Sequence, residues 1–154
     1  MADFTYRGTL DGSEPQHKTF EVVDGTTSGL GIGTSITIGD VVEIANGYAA
    51  LGADGGMAAG NILTGLATST STETTADGVV DVVFSPAGLI VEGTATTPAN
   101  LVTAVVYDKV SLDVAAGVQT VDENAAGAML IYEIDSDSAT TGLCRVVLPF
   151  TLAS

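Results

Sequence analysis

The chain has 154 residues, the length of one domain, and a chain of this size can bury roughly 70% of its unfolded surface in a single core. Four Lys and Arg against 19 Asp and Glu give a formal charge of −15, which argues against nucleic acid and anionic lipid as partners. Hydrophobic residues make up 45% of the chain, too many for charge-driven disorder, yet no apolar run approaches the roughly 18 residues of a membrane span.

Taken in order, residues 1–19 are polar, carry Phe4 and Tyr6, and hold Arg7, His17 and Lys18. They read either as a first strand or as an arm that docks onto a neighbour, with 20–154 as a single β-rich domain. Lys18 to Val23, Ser35 to Ile38, Val41 to Ile44 and Asn61 to Thr68 are short β-branched runs, and each reads as a strand. Thr68 to Thr75, almost all Ser and Thr, reads as a loop or a solvated sheet edge. Val79 to Phe84 alternates, so Val80, Val82 and Phe84 share one face while Asp81 points to the other.

Leu101 to Val110 is a further strand candidate. Thr97 and Pro98 offer the competing start of a short helix near 98–106, with Leu101, Val102, Val105 and Val106 on one stripe. Ala125, Ala126 and Ala128 invite one helical turn ahead of a strand from Ala128 to Ile134, and Leu143 to Phe150 closes the series. Asx-Gly pairs such as Asp11-Gly12 and Asn46-Gly47 punctuate these runs with tight turns. Short strands without strongly helical windows between them predict an all-β fold, an antiparallel β-sandwich or β-barrel with short loops.

Little in the sequence asks for chemistry. A single cysteine, Cys144, excludes an internal disulfide, and one histidine, His17, leaves too few ligands for a zinc site. Cys144 shares its strand face with Val146 and Leu148, opposite Arg145, and reads as a small core residue. Gly29-Leu30-Gly31-Ile32-Gly33 lacks both the spacing of a dinucleotide loop and a phosphate-binding lysine. Asp135-Ser136-Asp137-Ser138 opens like a calcium loop but fails at Ala139, Thr140 and Val146; a solvated acidic turn is the better account. His17 lies in a polar stretch, a poor place to pre-organise a base. No catalytic residue, metal or cofactor is expected, and the chain does not read as an enzyme.

The order Ile38-Gly39-Asp40-Val41-Val42, Gly47-Tyr48-Ala49-Ala50, Gly60-Asn61-Ile62-Leu63-Thr64-Gly65-Leu66-Ala67, Asp77-Gly78-Val79-Val80-Asp81-Val82 and Val146-Val147-Leu148-Pro149-Phe150 resembles the capsid cement, or head decoration, proteins of tailed bacteriophages. The resemblance implies a β-rich subunit, usually a homotrimer, made in the host bacterial cytoplasm and bound to the outer face of an expanded head. There it would bridge neighbouring copies of the major capsid protein and stabilise the shell. Phe4 and Tyr6 are then the expected apolar anchors, and Arg7, His17 and Lys18 the clustered positive charge that meets an acidic capsid. The alternative is a phage tail or fibre-associated β domain that recognises a host surface.

Overall fold

The fold follows from where alternation places apolar side chains. In a computed structural model, residues 3–22, 35–45, 48–52, 62–71 and 78–151 are described. They form β1 (Thr5–Thr9), β2 (Gln16–Val22), β3 (Val41–Ala45), β4 (Tyr48–Leu51), β5 (Ile62–Ala67), β6 (Val79–Phe84), β7 (Leu89–Thr94), β8 (Lys109–Ala115), β9 (Val118–Asp122), β10 (Met129–Ile134), β11 (Leu143–Leu148) and β12 (Phe150–Thr151). A one-turn helix, α1 (Ser138–Thr141), ends at Gly142, whose left-handed backbone lets its N–H bond back to the Ser138 carbonyl.

Two six-stranded sheets result, ordered β1-β7-β11-β10-β8-β9 and β12-β5-β3-β4-β2-β6. A further pairing of β5 with β6 closes β2 to β6 into a five-strand barrel. The fold is therefore all-β with a short helix, as the sequence predicts, and every strand pair is antiparallel except β2 with β4.

The barrel is filled by Val22, Ile36, Val42, Ala49, Ala67, Val80 and Val82, with Phe20, Ile44, Leu51 and Phe84 packed against them. Val80, Val82 and Phe84 thus share one face, and Asp81 is exposed opposite them, as expected. Val83 breaks the simple pattern of one wet face, because it turns outward from the barrel and is still buried. Val41, Leu66 and Val83 leave the barrel on the side that meets the open sheet, where they join Phe4, Leu89, Val91, Leu112, Met129, Ile131, Val146 and Leu148 in the main core. One core therefore glues barrel to sheet.

A buried amide crosses that seam. Gln119 of β9 accepts the Val41 N–H at 2.7 Å and donates to the carbonyls of Val41 (2.9 Å) and Gly52 (3.2 Å). Its own N–H donates to the Asp3 carboxylate at 2.7 Å. Together with the bond from Thr96 N–H to the Val121 carbonyl, this caps the outer edge of β9, an edge that would otherwise invite another chain.

Several local expectations are corrected. Leu101 to Val110 is not a strand until Lys109, and 98–106 is not one helix: two single 3₁₀ turns, Pro98–Asn100 and Thr103–Val105, occupy it. Thr97 makes no side-chain cap, and Leu101 is buried while Val102 stands exposed, so no common stripe forms. Ala125 closes a turn on Asp122 instead of starting a helix. Ser35 to Ile38 contributes only a single bridge from Ile36 to Ser71, because the chain turns at once through Gly39 (φ 93°) and leaves Ile38 outside. Asn46-Gly47 and the glycine-rich 29–33 segment lie outside the described residues.

Candidate functional site

The five residues expected to meet a partner fall in three different settings. Phe4 is 1% exposed and lies in the main core, its ring filling the space where a side chain on Gly93 would stand. It is therefore a core residue and not an exposed anchor, which corrects the sequence reading. Its N–H donates to the Gly39 carbonyl, so the amino-terminal segment is laid across the junction of the two sheets.

Tyr6 and Arg7 lie on β1, at one end of the open sheet, where Tyr6 keeps about two fifths of its surface exposed. His17 and Lys18 lie on β2 in the barrel, paired with Val83 and Val82 of β6. Residues 1–19 thus hold all of β1 and the start of β2 rather than a free arm. Removing them would take away a strand from one sheet, half a strand from the other and the Phe4 ring from the core.

On the barrel side, His17, Lys18, Thr19, Thr68 and Asp81 line an open groove of about 330 Å³. Thr19 Oγ1 donates to Asp81 Oδ1, and Asp81 N–H donates to Ser69 Oγ at 2.8 Å, which fixes the acidic wall. The Lys18 ammonium lies 5.2 Å from the Phe20 ring centre, and Phe20 meets Phe84 edge-on at 6.4 Å. The Lys18 ammonium therefore stands over the face of the Phe20 ring at the rim of the groove.

On the open sheet, Arg7 is drawn into a row of charges that sequence reasoning did not foresee. Arg7 Nη2 lies 2.7 Å from Glu92 Oε1, and Glu92 Oε2 lies 3.7 Å from Arg145 Nη1. Arg145 Nη2 in turn reaches Glu133 and Asp135, each at 3.2 Å. The row crosses β1, β7, β11 and β10 on the face turned away from the core, because Glu92 pairs with Arg145 and Arg145 with Glu133 in register. Individual exposed pairs of this kind contribute about 0–1 kcal/mol, so the row orients side chains more than it stabilises the fold.

The acidic turn behaves as a turn. Asp135 is engaged by Arg145, and Ser138 Oγ accepts the Asp135 N–H at 2.8 Å. Among the described residues, no group of three or more His, Cys, Asp or Glu side chains is placed to hold a metal ion. Cys144 is fully buried between Val146 and the end of β7, and burial, reinforced by Glu123 and Glu92 and opposed by Arg145, pushes its thiol up to about 12. No helix among the described residues is long and apolar enough to cross a membrane. No protein-family model, curated protein or solved structure matches the chain.

Proposed function

We propose that this chain is a structural virion protein, a decoration protein that binds the outer face of an expanded phage head and bridges neighbouring major capsid proteins. The observation that carries the reading is the architecture joined to the charge: a closed barrel and an open sheet glued by one core, under an acidic surface of −15. Such a body keeps its shape under load and stays dispersed when displayed densely, since net charge opposes non-specific association. The order of Gly-Asp-Val-Val, Gly-Tyr-Ala-Ala and Asp-Gly-Val-Val segments supports the same reading by resemblance.

Within it, the capsid contact is the barrel side, where His17 and Lys18 stand beside the groove and Lys18 enters no ion pair among those of the described residues. Arg7 is committed to its own sheet and Phe4 to the core. Co-sedimentation with expanded heads tests the proposal: the protein pellets with heads and raises their disruption temperature, and Lys18→Glu weakens pelleting while the variant stays folded. A wild-type protein that remains in the supernatant at saturating head concentration overturns it.

A further inference from the structure

Two acidic side chains meet on the seam between barrel and sheet. Asp40 is 3% exposed, and its Oδ2 accepts both the N–H (2.9 Å) and the Oγ1 hydroxyl (3.1 Å) of Thr37. Its backbone is fixed as well, since its N–H donates to the Thr37 carbonyl and its carbonyl accepts the Ala67 N–H. Asp3 reaches it from the start of the chain. The Phe4 N–H donates to the Gly39 carbonyl at 2.9 Å, and Asp3 Oδ2 accepts the N–H of Gln119, whose side chain holds the Val41 N–H at 2.7 Å. These bonds to Gly39 and, through Gln119, to Val41 bracket Asp40 and set the two carboxyl groups side by side, close enough to share a hydrogen bond.

Carboxyl groups in contact either hold a proton between them or bear the repulsion of two charges. No cation relieves this pair. Among the described residues no ion pair includes Asp3 or Asp40: Arg7 and Arg145 belong to the charged row, Lys18 lies at the barrel groove, and Lys109 is exposed at the start of β8. Of the strands packed around the pair, β5 carries no charge, β3 carries Glu43, β9 carries Asp122, and β8 carries Asp113 besides Lys109. The charge that bears on Asp40 is that of Asp3.

We propose that Asp3 and Asp40 form a clasp governed by one proton. With the proton in place, Asp40 donates to the Asp3 carboxylate, and Asp3 stays on the seam as the cap of β9 at Gln119. Without it the two charges repel, and Asp3 is the one that moves: it is only half-buried, whereas Asp40 is held by Thr37 and Ala67. The Gln119 N–H is then left free on the outer edge of β9, where a further strand can pair. The direction follows from burial. Asp40 takes up its proton above the usual carboxylate range, so the clasp is closed below 3.8 and opens as the pH rises through the raised value of Asp40. The clasp does not depend on the capsid proposal.

Hydrogen exchange of the full chain, followed amide by amide by NMR between pH 4 and pH 8, tests it. Protection at Gln119, corrected for the intrinsic exchange rate, is compared with that at Ile131, whose N–H donates to the Asp108 carbonyl in the same sheet and reports on the fold as a whole. In the wild type the Gln119 value falls about tenfold or more relative to Ile131 as the pH rises, the least that two like charges in contact should produce at a partly buried site. Asp40→Asn keeps an acceptor for Thr37 and a donor for Asp3 and never ionises, so protection at Gln119 stays high throughout. Asp3→Asn removes the other charge, keeps an acceptor for the Gln119 N–H and gives the same result; lying at the start of the chain, it tests the clasp even where Asp40→Asn fails to fold. A ratio that is flat in the wild type, or that still falls in either folded variant, overturns the inference.

Discussion

Replacing Gln119 by methionine isolates the buried amide that joins the two layers. Methionine keeps the length and much of the volume of the side chain, so packing against Gly52 is largely conserved, while every hydrogen bond of the amide is lost. The Val41 carbonyl retains the Gly52 N–H at 2.9 Å, but the Val41 N–H and the Gly52 carbonyl lose the partners that Gln119 supplied. Both lie in buried residues, and an unsatisfied buried group costs about 1–3 kcal/mol, so the variant should lose about 2–6 kcal/mol. At about 2–4 °C per kcal/mol for a domain of this size, the melting temperature falls by about 4–24 °C. Urea unfolding followed by circular dichroism measures the loss directly, with the denaturant slope as a check that the unfolded state is unchanged. Gln119→Glu is a sharper companion: it keeps an acceptor for Val41 N–H but turns a carboxylate toward two carbonyl oxygens, so its stability should recover as the pH is lowered. A methionine variant within about 0.5 kcal/mol of wild type, at unchanged slope, would refute the view that this amide ties barrel to sheet.

Gly93→Ala should cost about 1–3 kcal/mol, because the added methyl occupies the position of the Phe4 ring; an unchanged urea midpoint would show that Phe4 is not seated there. Asp40 is 3% exposed, and its carboxyl is held above the usual range by burial, with Asp3 adding to the effect and two hydrogen bonds from Thr37 opposing it. A raised carboxyl favours the protonated folded state, so Asp40 opposes stability at neutral pH and the penalty fades as pH falls through its raised value toward 3.8. Asp40→Asn should therefore be at least as stable as wild type at pH 7, with the difference closing below pH 3.8, measured by melting at stepped pH. Cys144, with its thiol near 12, should react with a disulfide reagent at pH 8 roughly a thousandfold more slowly in the native than in the unfolded protein; comparable rates would place it at the surface.

Much of the barrel was legible because its strands carry their own punctuation. Val79 to Phe84 lies between Gly78 and a turn at Ser85, and its alternation matches the pleat everywhere but at Val83, which is buried on the outward face. The Cys144, Val146 and Leu148 face was readable for the same reason. The hairpin of β8 and β9 was not, since it turns on Ala116 and Gly117, both at positive φ, without the Asx-Gly pair that usually announces such a turn. Leu101 to Val106 misled because an apolar run carries no record of whether sheet, helix or a pair of 3₁₀ turns will bury it; here only Leu101 is fully buried. The charged row was invisible for a different reason. Arg7, Glu92 and Arg145 are separated by dozens of residues: the register of β7 and β11 sets Glu92 beside Arg145, and a bulge in β1 at Arg7 lets its side chain reach Glu92.

The place of β11 in the open sheet fixes an order of events during synthesis. It lies between β7 and β10, both of which leave the ribosome earlier, so neither has its neighbour until residues 143–148 emerge. Until then Val91, Met129 and Ile131 have no strand between them to complete the layer that covers the barrel. Pairings this distant along the chain form slowly and leave apolar surface open in the meantime. A nascent chain stalled before Leu143 should therefore be a substrate for chaperones and proteases, and the addition of six residues should be what withdraws it from both.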